Sequence, residues 1–210
     1  MAYRAVIFDL GGVVFPSPFD VFDEYERTAG LPEHFIRTVV ASSAENGAWA
    51  RFERSELAFT EFCVEFESEC ADAGGTVDAA VLMRSITTDF QPRIEMVVAI
   101  DRIREQGLRV AALTNNWAAS GERVNGDGHA IPFDTVVESA VEGIRKPDPA
   151  IYTLVCERLS VAPAECVFLD DLGVNLKPAR AMGMTTIKVI DADRALEELT
   201  GHLGFALGAG

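Results

Sequence analysis

Residues 6–14 read Val6-Ile7-Phe8-Asp9-Leu10-Gly11-Gly12-Val13-Val14, and the expected architecture of the whole chain follows from this run. Apolar residues lead to Asp9 in the pattern of a buried β-strand, and the two glycines after Leu10 allow a sharp turn. A carboxylate at the end of a buried strand costs free energy unless a cation or a reaction uses it. Asp9 is therefore the first candidate for a functional residue.

The part of the chain beyond residue 90 alternates between strand and helix patterns. Short apolar runs predict strands at 108–113, 135–138, 167–169 and 185–190, and helical patterns cover 92–106, 147–159 and 175–182. Alternation of this kind predicts an α/β fold, a Rossmann-like doubly wound parallel sheet with helices on both faces.

Residues 17–90 break this alternation, because they contain amphipathic helical patterns and no convincing strand. Five apolar residues fall on one face of a helix and predict a stripe that faces a core: Phe59, Phe62, Cys63, Phe66 and Cys70. We expect residues 17–90 to form an inserted α-helical cap subdomain. Residues 1–16 and 91–210 then form the α/β core.

The composition limits the classes of partner. The 210 residues are 49% hydrophobic and 24% charged, as in ordinary globular proteins, and the formal net charge is −15. Because this charge repels polyanions, we expect no nucleic-acid partner and no acidic membrane partner. No signal-peptide or membrane-spanning pattern is present, and the four scattered cysteines suggest core thiols. These features predict a cytoplasmic protein; they leave the oligomeric state open.

Residues with chemical potential follow four of the predicted strands. They are Asp9 after the first, Thr114 and Asn115 after the second, Lys146 after the third, and Asp170 and Asp171 after the fourth. In an open parallel sheet the carboxyl ends of the strands meet at one edge, which is where ligands bind. Carboxylates suit Mg²⁺, and a lysine beside a metal neutralises phosphate charge. The pattern predicts a phosphoryl-transfer site.

These segments, in this order, resemble the haloacid dehalogenase superfamily over nearly the whole chain. The resemblance is carried by residues 8–13, 113–117, 146–152 and 168–180. They are most similar to the subgroup that includes the N-terminal phosphatase domain of soluble epoxide hydrolase and bacterial sugar-phosphate phosphatases. The resemblance implies a hydrolase with a helical cap that acts on a small-molecule phosphate ester through an aspartyl-phosphate.

The resemblance also implies a nucleophile and a metal site. Asp9 would attack phosphorus. Mg²⁺ would be bound by the Asp9 carboxylate, the Gly11 carbonyl and Asp171. Asp170 and Asn175 would support the metal without binding it directly.

Three further residues would hold the phosphate group on this reading. Thr114 and the backbone amide of Asn115 would bind phosphate oxygens. Lys146 would contact both Asp9 and the phosphate.

One position departs from the family pattern. Related phosphatases carry an aspartate two residues after the nucleophile, which protonates the leaving oxygen and then activates water, and here that position is Gly11. Such acid–base help contributes about 10²–10⁴-fold. Three interpretations stay open: a replacement acid such as Asp170, a cap residue or a water chain; a substrate with a good leaving group; or a protein that binds phosphate compounds and turns them over poorly.

Two other functions are compatible with this site. A 2-haloacid dehalogenase also attacks with an aspartate and also lacks the second one, but it needs no metal. The Asp170-Asp171 pair argues against that reaction, because carboxylates without a cation would repel a carboxylate substrate. A non-catalytic binder of phosphorylated ligands is the other alternative. We expect a Mg²⁺-dependent phosphomonoester hydrolase of small phosphorylated metabolites, favouring those with good leaving groups, and the sequence leaves the physiological substrate open.

Overall fold

The computed structural model describes residues 3–87, 91–117 and 131–208. Its strands are β1 (Ala5–Phe8), β2 (Arg109–Thr114), β3 (Thr135–Glu138), β4 (Cys166–Asp170) and β5 (Thr185–Lys188). They form one sheet in the order β3-β2-β1-β4-β5, and each neighbouring pair is parallel. The α/β fold with a parallel sheet is therefore confirmed.

Ten α-helices lie in the described ranges. The first five are α1 (Pro18–Ala29), α2 (Phe35–Ser43), α3 (Ala48–Glu53), α4 (Phe59–Asp72) and α5 (Ala79–Thr87). The others are α6 (Ile94–Glu105), α7 (Ser139–Glu142), α8 (Pro149–Leu159), α9 (Gly173–Ala181) and α10 (Ala192–Leu203). The strands and helices predicted beyond residue 90 match within two residues at each end. No helix in the described part of the chain has both the length and the hydropathy needed to cross a membrane.

The sheet is covered on both faces. Val6 and Phe8 of β1 pack in one cluster with residues of α6 and α10, whereas Ala5 and Ile7 pack on the opposite face with residues of α8 and α9. All four side chains are fully buried. This double burial explains why the strand appears in the sequence as a continuous apolar run instead of an alternating one.

Helices α1 to α5, which we call the inserted helical segment (residues 18–87), have an apolar cluster of their own. Its centre includes Phe22 of α1, Ile36 of α2, Trp49 of α3, Phe62 of α4 and Leu82 of α5. The segment lies between β1 and α6 in the chain.

The stripe predicted on α4 is partly correct. Phe62, Phe66 and Cys70 are fully buried, while Cys63 is half-buried and Phe59 is 42% exposed. Phe59 is the first residue of α4, and a side chain at this end of a helix points away from the following turns. The helical period alone therefore overestimated how far the buried face extends.

The strand order indicates where along the sheet a ligand would bind. The chain leaves β1 for β2 and β3 on one side, then returns to form β4 and β5 on the other side of β1. The carboxyl ends of β1 and β4 consequently flank the point where the order reverses, which is the usual ligand crevice of such sheets. Asp9 directly follows β1, and Asp170 is the last residue of β4.

Candidate active site

A buried lysine connects two of the predicted site carboxylates. The side chain of Lys146 is 1% exposed, and its Nζ atom lies 2.8 Å from Asp9 Oδ1 and 2.7 Å from Asp170 Oδ2. Asp171 adds a third carboxylate, and one oxygen from each of the three acids lies within 4.8 Å of the others. Three carboxylates thus lie close together with one ammonium group that contacts two of them, and a divalent cation would balance the excess negative charge. Hard carboxylate and carbonyl oxygens are the ligands that Mg²⁺ prefers.

The pKa values of these acids and of Lys146 are shifted by burial and by the excess of negative charge. Burial raises the pKa of Asp9 well above its usual value, although Lys146 opposes the shift. Burial tends to lower the pKa of Lys146, but the charges of Asp170 and Asp9 outweigh it and the pKa lies above the usual value. Burial and the neighbouring Asp170 raise the pKa of Asp171 to about 6. Such shifts are typical of sites where charge is arranged for chemistry.

Asp170 is surrounded by hydrogen-bond donors. Besides Lys146, its carboxylate accepts the backbone N–H of Leu172 at 2.8 Å, and Asn175 Nδ2 lies 3.1 Å from each of its oxygens. The residue is fully buried, and Lys146, Leu172 and Asn175 together engage both of its carboxylate oxygens. This geometry favours support of Lys146 over the role of replacement acid that the sequence left open.

Asn115 has a side-chain role that the sequence did not reveal. Its Oδ1 accepts the backbone N–H of Lys146 at 2.8 Å, and its Nδ2 donates to the Lys146 carbonyl at 2.9 Å. The two bonds join the end of β2 to the loop that carries the lysine. Because the side chain is committed to Lys146, the backbone amide is the group of Asn115 suited to phosphate. Thr114, which ends β2, is 5% exposed beside it.

The two residues after Asn115 bind the segment that follows β2 to other parts of the fold. The Asn116 backbone N–H donates to Ser139 Oγ at 2.9 Å, and Asn116 Nδ2 donates to Glu138 Oε1 at 2.9 Å. Trp117 packs edge-on against Trp49, with ring centroids 5.9 Å apart. Trp117 therefore packs with the aromatic cluster of the inserted helical segment.

The turn after Asp9 depends on Gly12. This glycine has a φ of +79°, and a Cβ atom on it would clash with Asp171 Oδ2. Its carbonyl accepts Arg93 Nη1 at 3.0 Å. Both the left-handed backbone and the close approach of Asp171 disfavour a side chain here.

We expect Gly12→Ala to destabilise the protein and displace Asp171. Gly30→Ala is the matched control, since Gly30 has a φ of +69° but no atom within 4 Å of an added Cβ. The control should lose about 1–2 kcal/mol of unfolding free energy from backbone strain. Gly12→Ala should lose about 1–3 kcal/mol more, because overpacking adds to the strain. Denaturant unfolding of both variants measures the difference, and equal losses would show that the Asp171 contact has no cost.

Comparison with known proteins gives consistent matches. The model of the haloacid dehalogenase-like hydrolase family matches residues 3–183. Mouse acyl-CoA dehydrogenase family member 10 is 41% identical over 212 residues, which cover 100% of this chain and 20% of that protein. Pig bifunctional epoxide hydrolase 2 is 34% identical over 221 residues, covering 99% of this chain and 40% of that protein. The chain thus spans about a fifth of the first relative and two fifths of the second.

A relative of similar length and a solved structure also match. A sesquiterpene phosphatase of Aspergillus oryzae is 27% identical over 204 residues, covering 96% of this chain and 97% of that protein. A HAD family enzyme of Bacteroides thetaiotaomicron, solved as a variant with magnesium and inorganic phosphate, has a TM-score of 0.67 at 19% identity. That match covers 89% of this chain and 94% of the other, and it shows that the two folds are alike.

Proposed function

The chain belongs to the haloacid dehalogenase-like hydrolase family, and from this premise we propose that it is a Mg²⁺-dependent phosphomonoester hydrolase of small phosphorylated metabolites. The observation that carries the proposal is the Lys146 ammonium held 2.8 Å from Asp9 within a group of three carboxylates. The similarity to a sesquiterpene phosphatase supports the reaction class.

Asp9 is the proposed nucleophile. Among the described residues, the polar contacts of its carboxylate come from Lys146 Nζ and the Leu10 backbone N–H, and both use Oδ1. Oδ2 is then the oxygen available to attack phosphorus. A bond forms between Oδ2 and phosphorus while the ester oxygen–phosphorus bond breaks, and the leaving group departs as its oxyanion and takes a proton from solvent. Water next cleaves the aspartyl-phosphate, which regenerates the Asp9 carboxylate and releases phosphate.

Two groups of residues would assist this exchange. The Thr114 hydroxyl and the Asn115 backbone amide would bind phosphate oxygens, and Lys146 would neutralise negative charge on the phosphoryl group. The Asp9 carboxylate, the Gly11 carbonyl and Asp171 would hold Mg²⁺. When bound, the metal would neutralise phosphate charge as a Lewis acid.

The inserted helical segment is the proposed cap over this site. We place the cap at residues 17–90 and the catalytic core at residues 1–16 and 91–210. Trp117 supports this assignment, because it follows the proposed phosphate-binding residues and packs against Trp49 of α3.

The absence of an acidic side chain at position 11 limits the class of phosphate ester that we propose as substrate. Asp170 is buried and bonded to Lys146 and Asn175, so it is poorly placed to donate a proton to a leaving group. Esters whose leaving group departs without protonation, such as anomeric sugar phosphates or acyl phosphates, then suit the site best.

A panel of phosphorylated metabolites with p-nitrophenyl phosphate, assayed with Mg²⁺ and with EDTA, tests the function. We expect phosphate release that stops with EDTA and returns with added Mg²⁺. Chloride release from 2-chloropropionate that EDTA does not affect would instead identify a dehalogenase. Binding of Mg²⁺ and phosphate without turnover of any ester would identify a non-catalytic binder.

We expect Mg²⁺ affinity to fall as the pH drops through about 6. Burial and Asp170 raise the pKa of Asp171 to about 6, and a carboxylate must lose its proton to bind the metal. Below this pH the affinity should fall at least about tenfold per pH unit, because protons compete with the metal for Asp171 and for Asp9, whose pKa burial also raises. Calorimetric titration with Mg²⁺ over the range from pH 5 to 8, chosen to bracket that value, measures the effect. An affinity independent of pH would exclude Asp171 as a ligand.

A further inference from the structure

Arg145, the residue before Lys146, extends into the inserted helical segment. Its Nε atom donates to Glu53 Oε2 at 2.6 Å, and its Nη1 donates to Glu45 Oε1 at 2.8 Å. The side chains of Arg145 and Glu53 are 16% and 8% exposed, whereas that of Glu45 is 56% exposed. The other oxygen of Glu53 accepts Trp49 Nε1 at 3.0 Å. Glu53 is thus buried and Arg145 largely shielded from solvent, and the Glu53 carboxylate accepts hydrogen bonds at both of its oxygens.

The same dipeptide enters the candidate active site through its second residue. The Lys146 backbone exchanges two hydrogen bonds with the Asn115 side chain, and Lys146 Nζ contacts Asp9 and Asp170. Arg145 and Lys146 therefore connect α3 to the carboxylate cluster through one peptide unit.

A second contact joins the same two regions. Trp117 lies two residues after Asn115, and its ring packs against Trp49 at 5.9 Å and against Phe52 at 6.3 Å between centroids. Helix α3 supplies Trp49, Phe52 and Glu53 from one six-residue element. Helix α3 therefore contacts both the segment after β2, through Trp117, and the lysine loop, through Arg145. Hydrogen bonds between Asn115 and Lys146 join these two segments to each other.

The ion pair between Arg145 and Glu53 is not explained by a contribution to the stability of the fold. Burying a carboxylate and a guanidinium has a large desolvation cost, and apolar residues of similar size commonly stabilise a fold as well or better. Burial does raise the pKa of Glu53 above its usual value, even with Arg145 beside it. A hydrogen-bonded pair does, however, define orientation better than an apolar contact, because its donors and acceptors must align.

We propose that Glu53 and Arg145 are positioning residues: their ion pair sets the backbone of Lys146 and so places its ammonium group when α3 lies over the site. The inference rests on the proposed function, since Lys146 acts there on Asp9 and phosphate. It assigns α3 a direct link to the catalytic lysine, in addition to its place in the cap.

Paired substitutions test the link. Glu53→Gln removes the charge and keeps the side-chain shape, Arg145→Gln removes the partner, and the double variant contains no unpaired buried charge. Glu45→Gln is the control, because it removes the exposed partner of the same arginine, and exposed pairs contribute little. The readouts are turnover of p-nitrophenyl phosphate with Mg²⁺, calorimetric affinity for inorganic phosphate with Mg²⁺, and affinity for Mg²⁺ alone.

We expect Glu53→Gln and Arg145→Gln each to lower turnover about 10- to 100-fold, because a small misplacement of a catalytic group has effects of this size. Phosphate affinity should fall in parallel. The double variant should lose no more than either single variant, since the residues act as one unit. Mg²⁺ affinity should stay at the wild-type value, and Glu45→Gln should behave as wild type in every assay.

The other possible results distinguish a failure of the positioning role from a failure of the proposed function. Folded Glu53→Gln and double variants with wild-type turnover and phosphate affinity, differing only in thermal stability, would overturn the positioning role. Losses that add in the double variant would also overturn it. A wild-type protein that binds phosphate without turnover would contradict the proposed function, and the phosphate affinities of the variants would still decide the inference. A wild-type protein that does neither overturns both.

Discussion

We expect Asp9→Asn to lower phosphate-ester hydrolysis by at least about 10⁴-fold in a protein that still folds. The amide is too weak a nucleophile to form the acyl-phosphate bond, and loss of a nucleophile typically removes most of the rate enhancement. The fold should survive, because Asn has nearly the same shape and burial already raises the pKa of Asp9, which shows that the charge is costly there. Steady-state kinetics with p-nitrophenyl phosphate and a thermal unfolding scan measure the two effects.

Asp171→Asn is the matched control for this substitution. It also removes one carboxylate from the cluster, but it leaves the proposed nucleophile in place and removes a proposed metal ligand. High Mg²⁺ concentrations should therefore restore part of its activity, while Asp9→Asn should show no recovery at any concentration. A folded Asp9→Asn variant with more than about a hundredth of wild-type turnover would contradict the assignment, because loss of a nucleophile has a much larger effect.

The sheet and the edge that bears the site could be predicted because their signals are local. Each strand is a short apolar run that ends at a polar residue, as β1 ends before Asp9 and β4 ends with Asp170. Parallel pairing then brings the carboxyl ends together without any knowledge of side-chain contacts. The meeting of Asp9 with the Asp170-Asp171 pair therefore follows from topology, whereas Lys146 comes eight residues after the end of β3 and is brought in by its loop.

The side-chain bonds that place the lysine loop could not be predicted, because their partners are far apart in the sequence. Glu53 lies 92 residues before Arg145, and Asn115 lies 31 residues before Lys146. Glu53 and Arg145 carry no periodic or motif signal, and the motifs that contain Asn115 and Lys146 do not show that these two residues bond to each other. The exposure of Phe59 was missed for a related reason: the helical period gives the direction of a side chain and not the extent of the core that receives it.

The turn after β1 illustrates both cases. Two adjacent glycines predict a sharp turn, but only the structure separates their roles. Gly12 has a left-handed backbone and a contact with Asp171 that disfavour a side chain. Gly11 has neither, so its lack of a side chain is not imposed by backbone geometry. Gly11 is therefore the position at which chemistry can be changed without rebuilding the turn.

We expect Gly11→Asp to raise hydrolysis of a simple alkyl phosphate by about 10²–10⁴-fold, the usual contribution of general acid–base catalysis. The new carboxyl would protonate an alkoxide leaving group, which departs poorly by itself. Hydrolysis of p-nitrophenyl phosphate should change much less, since its leaving group needs no proton. A Cβ atom at Gly11 would lie 3.3 Å from Cδ of Pro18, so the proline ring at the start of α1 must move by a few tenths of an ångström.

Gly11→Ala is the control for this gain, because it adds the same Cβ atom without an acid. It should leave the ratio of alkyl to nitrophenyl turnover at the wild-type value. If the Pro18 contact limits the variant, Gly11→Asp combined with Pro18→Ala should recover the gain, since Ala is a good residue for the first helical turn. A folded, Mg²⁺-binding Gly11→Asp protein with unchanged alkyl-phosphate turnover would mean that another group already supplies the proton. The wild-type protein would then already have a proton donor beside the leaving oxygen of the ester. Its expected preference for good leaving groups would be wrong.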